Sequence, residues 1–265
     1  MKAFYKVISA LITFILSFFI LGLGLVAYNK TKYALAMVCT AYSALALICW
    51  TNLIETPAAL FCFLLFIALI QVASALFSAF ITFSEKSREY SKIKAWIKAT
   101  VFGGVTIPLL VVVFLNKSDL FGYDIYFIPS PSMAPELLPG DYILINSKKY
   151  INSPPKKGDI ALFKHPKDNS KVFIKRVVGI SGEKLGVTKN IIRPLDKDTE
   201  TSKYRVFNIE PDYYFVAGDN RQFSRDSRHW GPVHKDKFIG SAIYIWLSTD
   251  INRDFRSNRV GKIIK

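Results

Sequence analysis

Apolar positions in the first 115 residues neither alternate nor form stripes; they run on. Residues 7–28, 33–53, 58–83 and 99–115 are almost uninterrupted apolar sequence. They are separated by the polar stretch 29–32, by Glu55-Thr56-Pro57 and by a basic amphipathic connector over 85–98. A helix needs about 20 such residues to cross the hydrocarbon of a bilayer. The fourth run is the shortest, and Lys98 can snorkel to extend it. Four membrane-spanning helices are therefore predicted over 1–115. From Asn116 onward the pattern changes to short β-type runs at 125–129, 142–146, 159–164, 172–179, 213–217 and 239–247, bounded by Gly, Pro, Asn and Asp. Pro154-Pro155-Lys156-Lys157-Gly158 and Gly179-Ile180-Ser181-Gly182 are turn signals. Helices and strands do not alternate, which argues against a parallel α/β sheet. The expected fold is a multi-span α-helical membrane anchor followed, over 116–265, by a mainly antiparallel β domain.

Charge sharpens this division. The chain has 35 Lys and Arg against 20 Asp and Glu, yet its mean hydropathy is +0.25. Residues 1–115 hold only 9 basic and 3 acidic side chains, so most of the charge lies in the second part. The net charge of +15 suits anionic lipid headgroups or nucleic acid. Because the basic residues are scattered, with no aromatic-interleaved run, nucleic acid is disfavoured and a lipid surface preferred. Basic loops favour the cytoplasmic side. With Lys30, Lys32 and the 86–98 connector inside, the second part faces away from the cytoplasm; Lys2 and Lys6 oppose this orientation, but the connector carries the stronger signal. Cys39, Cys49 and Cys62 all lie in the apolar part, so the second part has neither a disulfide framework nor a Cys-based metal site.

The chemistry gathers at three places. In residues 128–141 Ser130 and Ser132 alternate with Pro129, Pro131 and Pro135. Proline restrains both itself and the residue before it, so a stiff extended segment is expected, with both hydroxyls on one face. In residues 172–178 two adjacent cations, Lys175 and Arg176, interrupt a run of β-formers, and a strand turns only one of them inward. A lysine buried among Phe, Ile and Val loses hydration and favours the neutral amine; the alternative is an edge-strand lysine that discourages aggregation. The third place is 218–231, a loop dense in Asp, Asn, Arg and Ser that suits internal hydrogen bonds and ion pairs. Among serine-hydrolase patterns the Gly-x-Ser-x-Gly elbow is absent. His165, His229 and His234, in charged or turn-like contexts, read as surface histidines. A Ser-Lys dyad remains, with a lysine amine as general base.

Together these stretches resemble the type I signal peptidases, or leader peptidases, most nearly the proteobacterial members, over essentially all of 126–265. The resemblance implies a membrane-bound serine endopeptidase that removes N-terminal signal peptides from exported preproteins. It makes Ser132 the nucleophile, Lys175 the general base, and Ser130 an oxyanion donor beside the Ser132 N–H. It makes Ser224 the serine that orients the lysine amine, and Asp219, Asp226 and Arg228 the residues that brace the site. Residues 158–166 match the segment before the base, and 256–262 the family's tail. Tyr126, Ile128, Met133, Leu137 and Ile174 would form shallow pockets for Ala-x-Ala signal-peptide ends; core packing is their other reading. Met133 is also a candidate for seating the domain on lipid. No cofactor or metal is implied. The implied location is the bacterial inner membrane, multi-pass, with the catalytic domain facing the periplasm or exterior. Glu136 stands where the family usually has threonine, and Gln222-Phe223 where it usually has Asp-Asn. The short 182–213 spacer implies a reduced accessory β region. Two other readings stand beside this one, a relative dedicated to maturing one substrate and a non-catalytic membrane scaffold.

Overall fold

A computed structural model describes residues 2–27, 30–84, 92–151, 153–196, 202–250 and 252–265. The chain divides into two units, Met1–Phe121 and Gly122–Lys265.

The first unit is helical: α1 (Lys2–Phe19), α2 (Leu23–Ala27), α3 (Thr31–Trp50), α4 (Pro57–Ser84), α5 (Lys92–Leu115) and α6 (Lys117–Phe121). Two of its helices are long and apolar enough to cross a membrane, Thr31–Trp50 with mean hydropathy 1.7 and Pro57–Thr82 with 2.6. Val7–Phe18 and Ile97–Val113 are shorter apolar helical stretches. Along α4, Phe61, Leu69, Leu76 and Phe80 point outward, a surface that water does not favour. The run expected at 7–28 is not one helix. It stops at Phe19, turns through Gly22 at φ +79° and resumes as α2. Only glycine adopts that φ without cost, and a Cβ there would lie 2.7 Å from that of Ala34. Small hydroxyls at helical spacing bring α1 and α4 together: Thr13 Oγ1 meets Thr82 Oγ1 at 3.0 Å and Ser78 Oγ donates to Thr13 O at 3.2 Å; Ser17 Oγ accepts from Gly24 N of α2 at 2.8 Å. In an apolar setting such buried hydroxyls need partners, and small residues let the backbones approach. Tyr28 and most of the basic connector, 85–91, lie outside the described residues.

The second unit is a β domain. Its strands are β1 (Tyr123–Phe127), β2 (Asp141–Asn146), β3 (Ile160–His165), β4 (Asp168–Gly179), β5 (Lys184–Val187), β6 (Ile192–Pro194), β7 (Arg205–Asn208), β8 (Tyr213–Ala217), β9 (Val233–His234) and β10 (Phe238–Ser248). The short helix α7 (Ser227–Trp230) lies between β8 and β9. Seven strands form one sheet in the order β1-β2-β10-β3-β4-β8-β9, and β6-β5-β7 form a small second sheet. Every paired strand is antiparallel. The six runs read from the sequence correspond to β1, β2, β3, β4, β8 and β10. The 182–213 spacer, for which a reduced accessory β region is expected, carries the small three-stranded sheet; its strands and β9 are not among the six runs. Two apolar clusters organise the main sheet. Ile128, Met133, Leu137, Ile143, Ile145, Ile160 and Ile245 pack in one, and Phe163, Val177, Tyr214, Val216 and Val233 in the other. Each fully buried Leu, Ile or Phe contributes about 1.5–3 kcal/mol, so the first cluster is a firm bed for the segment lying on it.

Candidate active site

That segment begins where β1 ends. Ile128 N donates to Asp141 O at 2.8 Å, and Gly140 N donates back to Ile128 O at 2.9 Å. Residues 129–139 are thus a loop closed at its base. The extended geometry expected here holds at Ser130, with φ −126° and ψ 151°, and again at Ala134, but not at Ser132. Pro131–Met133 form a single 3₁₀ turn with Pro131 at its start, closed by Ala134 N to Pro131 O at 3.0 Å. Proline's fixed φ and missing N–H suit the first position of a helical turn, which is why the turn wins. The two hydroxyls still meet, Ser130 Oγ 3.1 Å from Ser132 Oγ. Met133 and Leu137 are fully buried under the turn and joined by Leu137 N to Met133 O at 2.9 Å, so the apolar bed holds Ser132 from below.

β4 supplies the second group. Its alternation turns Lys175, Val177 and Gly179 inward, while Arg176 and Val178 point to the half-buried side. Lys175 is 3% exposed and Ser132 6% exposed. Lys175 Nζ lies 2.7 Å from Ser132 Oγ and 2.9 Å from Ile174 O. Burial pushes the amine down to about 8, against the weaker opposing pull of the Asp226 and Asp219 carboxylates. The edge-strand reading of Lys175 does not fit a residue this buried on a strand paired on both sides.

The loop after β8 closes the site. Gly218 permits the approach: a Cβ there would fall 2.4 Å from Ser132 O and 2.3 Å from Ser224 Oγ. Asn220 N donates to Ser132 O at 3.1 Å and Asn220 Nδ2 to Pro131 O at 3.2 Å, holding the turn that carries the hydroxyl. Nothing in the sequence singles out Asn220 beyond its place in a polar loop. Asp219 pairs with Arg176. Asp226 is fully buried and accepts from Gly218 N at 3.0 Å, Ser224 Oγ at 2.7 Å and Arg228 Nε at 2.8 Å, besides capping α7. Burial alone would raise its pKa, but Arg228, Gly218 N and Ser224 hold it below the usual carboxylate value. Ser224 is buried within this cluster, and its hydroxyl donates to Asp226; the hydrogen bonds of the Lys175 amine go to Ser132 and Ile174.

Of the expected pocket residues, Ile128, Met133 and Leu137 belong to the core and present almost no surface, whereas Tyr126 and Ile174 are half-buried against them. A fully buried Met133 cannot touch lipid, which overturns that expectation. Glu136 has a local use. Its carboxylate takes Lys262 Nζ at 3.0 Å and Lys265 N at 3.1 Å, fastening the C-terminal segment beside the turn. Asp141, fully buried, fixes the same segment through Arg259 Nη2 at 2.6 Å and Arg256 Nη2 at 3.3 Å. Among the described residues no group of His, Cys, Asp and Glu is arranged to hold a metal.

A buried serine hydroxyl in hydrogen-bond contact with a desolvated amine defines the chemistry of a hydrolase that attacks through serine. Residues 93–247 match the family model described as signal peptidase, peptidase S26. The chain is 34% identical over 174 residues to signal peptidase I of Leptolyngbya laminosa, covering 60% of this chain and 81% of that protein. It is 30% identical over 214 residues to signal peptidase I of Pseudomonas aeruginosa (56% and 72%). It is 29% identical over 256 residues to signal peptidase I of Buchnera aphidicola subsp. Baizongia pistaciae (62% and 80%). A signal peptidase I of known structure, from Enterococcus faecalis, aligns at 24% identity over 34% of this chain and 97% of its own, with a TM-score of 0.27. The chain belongs to the signal peptidase family, peptidase S26, and is a serine protease of that family.

Proposed function

We propose that this peptidase removes the signal peptides of exported preproteins, with Ser132 as nucleophile and Lys175 as general base. The 2.7 Å contact between a buried amine and a buried hydroxyl is the observation that carries the reading. The neutral amine takes the Ser132 proton as Oγ attacks the carbonyl before the cut. Ser130 Oγ and the Ser132 N–H steady the oxyanion, and the ammonium then returns its proton to the leaving amine. Water, deprotonated by the same lysine, releases the acyl group. Ser224, Asp226 and Arg228 position the site from one side and Asp219 from the other. Tyr126 and Ile174 shape shallow apolar pockets for small residues of the Ala-x-Ala kind, with Ile128, Met133 and Leu137 as their floor.

The setting we propose is the bacterial inner membrane. The helical unit would cross it several times, the catalytic unit would lie outside the cytoplasm, and the basic surface would rest on anionic lipid. Two helices of spanning length and the basic excess support this. The test is cleavage of a purified preprotein by the full-length protein in detergent and lipid. Ser132→Ala and Lys175→Ala are each expected to abolish cutting; retained cutting by either variant overturns the assignment of the pair.

A further inference from the structure

A cleft of about 580 Å³ opens next to Ser224, on the β domain. Five cations line it: Lys189, Arg205, Arg221, Arg225 and Arg228. Arg228 is committed, paired with Asp226 and also donating to the backbone of Lys189, Arg221 and Ser224. The other four have no carboxylate partner among the described residues. Arg205 lies 4.7 Å over the Phe207 ring and donates to Arg228 O. Arg221 donates to Gly218 O. Among the described residues no acidic side chain lines the cleft.

Four cations with no carboxylate partner among the described residues share one concave wall and repel one another; Lys189, Arg205 and Arg225 are exposed. Arg221 is half-buried, and desolvation together with Arg228 and Arg176 weakens its hold on its proton, against the pull of Asp219 and Asp226. Such a wall is stabilised by an anion placed between the cations. The occupant is indicated by what the wall is made of. Residues 218–224 meet the Ser132 backbone at Gly218 and line the cleft from Arg221 to Ser224. A peptide lying across Ser132 advances about 3.3 Å per residue, so side chains a few positions from the cut come within reach.

We infer that this cleft is a substrate subsite that takes the carboxylate of an Asp or Glu lying within a few residues of the cleaved bond. The inference rests on the reading of Ser132 and Lys175 as the catalytic pair. The test uses the full-length protein in detergent and lipid and a set of matched peptides. A single Glu, or Gln in its place, is moved through three positions on each side of the cut. At one or two positions Glu is expected to raise kcat/KM by about five- to tenfold over Gln at low salt, with the gain fading as salt is added. Lys189→Glu/Arg225→Glu should abolish or invert that preference, whereas the charge-matched Lys164→Glu/Lys171→Glu should keep it. Binding of the Glu and Gln peptides to the Ser132→Ala protein, read by fluorescence anisotropy, should show the same ranking without any turnover. The inference is overturned if Glu and Gln bind alike, or if the preference survives Lys189→Glu/Arg225→Glu. It is equally overturned if that variant loses only its binding to phosphatidylglycerol vesicles, which would make the cleft a headgroup site. Failure of the wild type to cut any peptide counts against the catalytic reading, and the anisotropy ranking then decides the subsite by itself.

Discussion

Arg176 grips Asp219 with two parallel hydrogen bonds, Nε to Oδ1 at 2.8 Å and Nη2 to Oδ2 at 2.7 Å. The pair ties the strand that carries Lys175 to the loop that closes over Ser132. It also sets the field at the amine, since the Asp219 carboxylate favours the charged form of Lys175. Removing that negative charge makes proton loss easier. Asp219→Asn is therefore expected to move the acid limb of the pH–rate profile to lower pH. A limb that stayed put or moved up would show that Asp219 does not act on the base.

In the wild type that limb should centre near pH 8, the value to which burial brings Lys175. The amine must be neutral to accept the serine proton. Below pH 8, kcat/KM for a preprotein should accordingly fall about tenfold per pH unit, and above it the rate should level off.

The same burial costs stability. A lysine whose folded pKa is depressed from 10.5 to about 8 burdens the fold with a buried ammonium at neutral pH, by about 3 kcal/mol at most. Between pH 8 and 10.5 the unfolded chain holds the extra proton, so wild-type stability rises with pH across that window. Lys175→Met should be inactive yet more stable by about 2–3 kcal/mol at pH 7, with the advantage shrinking above pH 8. Thermal unfolding of both proteins across pH measures this, and an advantage independent of pH would argue against a strained lysine.

Ser130 is exposed, so its loss should leave stability within about 0.5 kcal/mol. Its hydroxyl is the side-chain donor proposed for the oxyanion, and Ser130→Ala should lower kcat by about 10²–10³-fold with little change in KM. A variant with wild-type kcat would remove Ser130 from the mechanism.

Glu136 and Asp141 both hold the C-terminal segment, with unlike weight. The Glu136–Lys262 pair is partly exposed and worth less than about 1 kcal/mol, so Glu136→Thr should shift the unfolding temperature only slightly. Asp141 is fully buried between Arg256 and Arg259, and Asp141→Ala should cost about 3–5 kcal/mol. Calorimetry of the two variants compares them directly.

How much of this was legible follows from how each residue is held. β4 could be read because Val172, Phe173, Ile174, Val177 and Val178 are β-formers bounded by turns; its period of two said that one of Lys175 and Arg176 turns inward, but not which one. β5 to β7 escaped because Lys184-Leu185-Gly186-Val187 and Ile192-Arg193-Pro194 are short and lack alternation; tertiary pairing makes them strands. At Pro131 two properties of one residue competed, and the closed loop chose its fit to a helical turn over its push toward extension. The break at Gly22 was hidden inside an apolar run, where hydropathy says nothing of φ. The role of Asn220 depends on contacts with Pro131 and Ser132, far away along the chain, which no local pattern encodes.

One carboxylate, Asp226, serves the α7 cap, the Gly218 amide, the Ser224 hydroxyl and the Arg228 guanidinium at once. Residues 218–231 therefore open together or stay shut, and the amide protons of Gly218 and Arg228 should exchange with solvent on a single clock. If Ser132 is the nucleophile, as proposed, the loop beside it is then expected to behave as one latch, with substrate delivery and not partial loosening setting when the bond is cut.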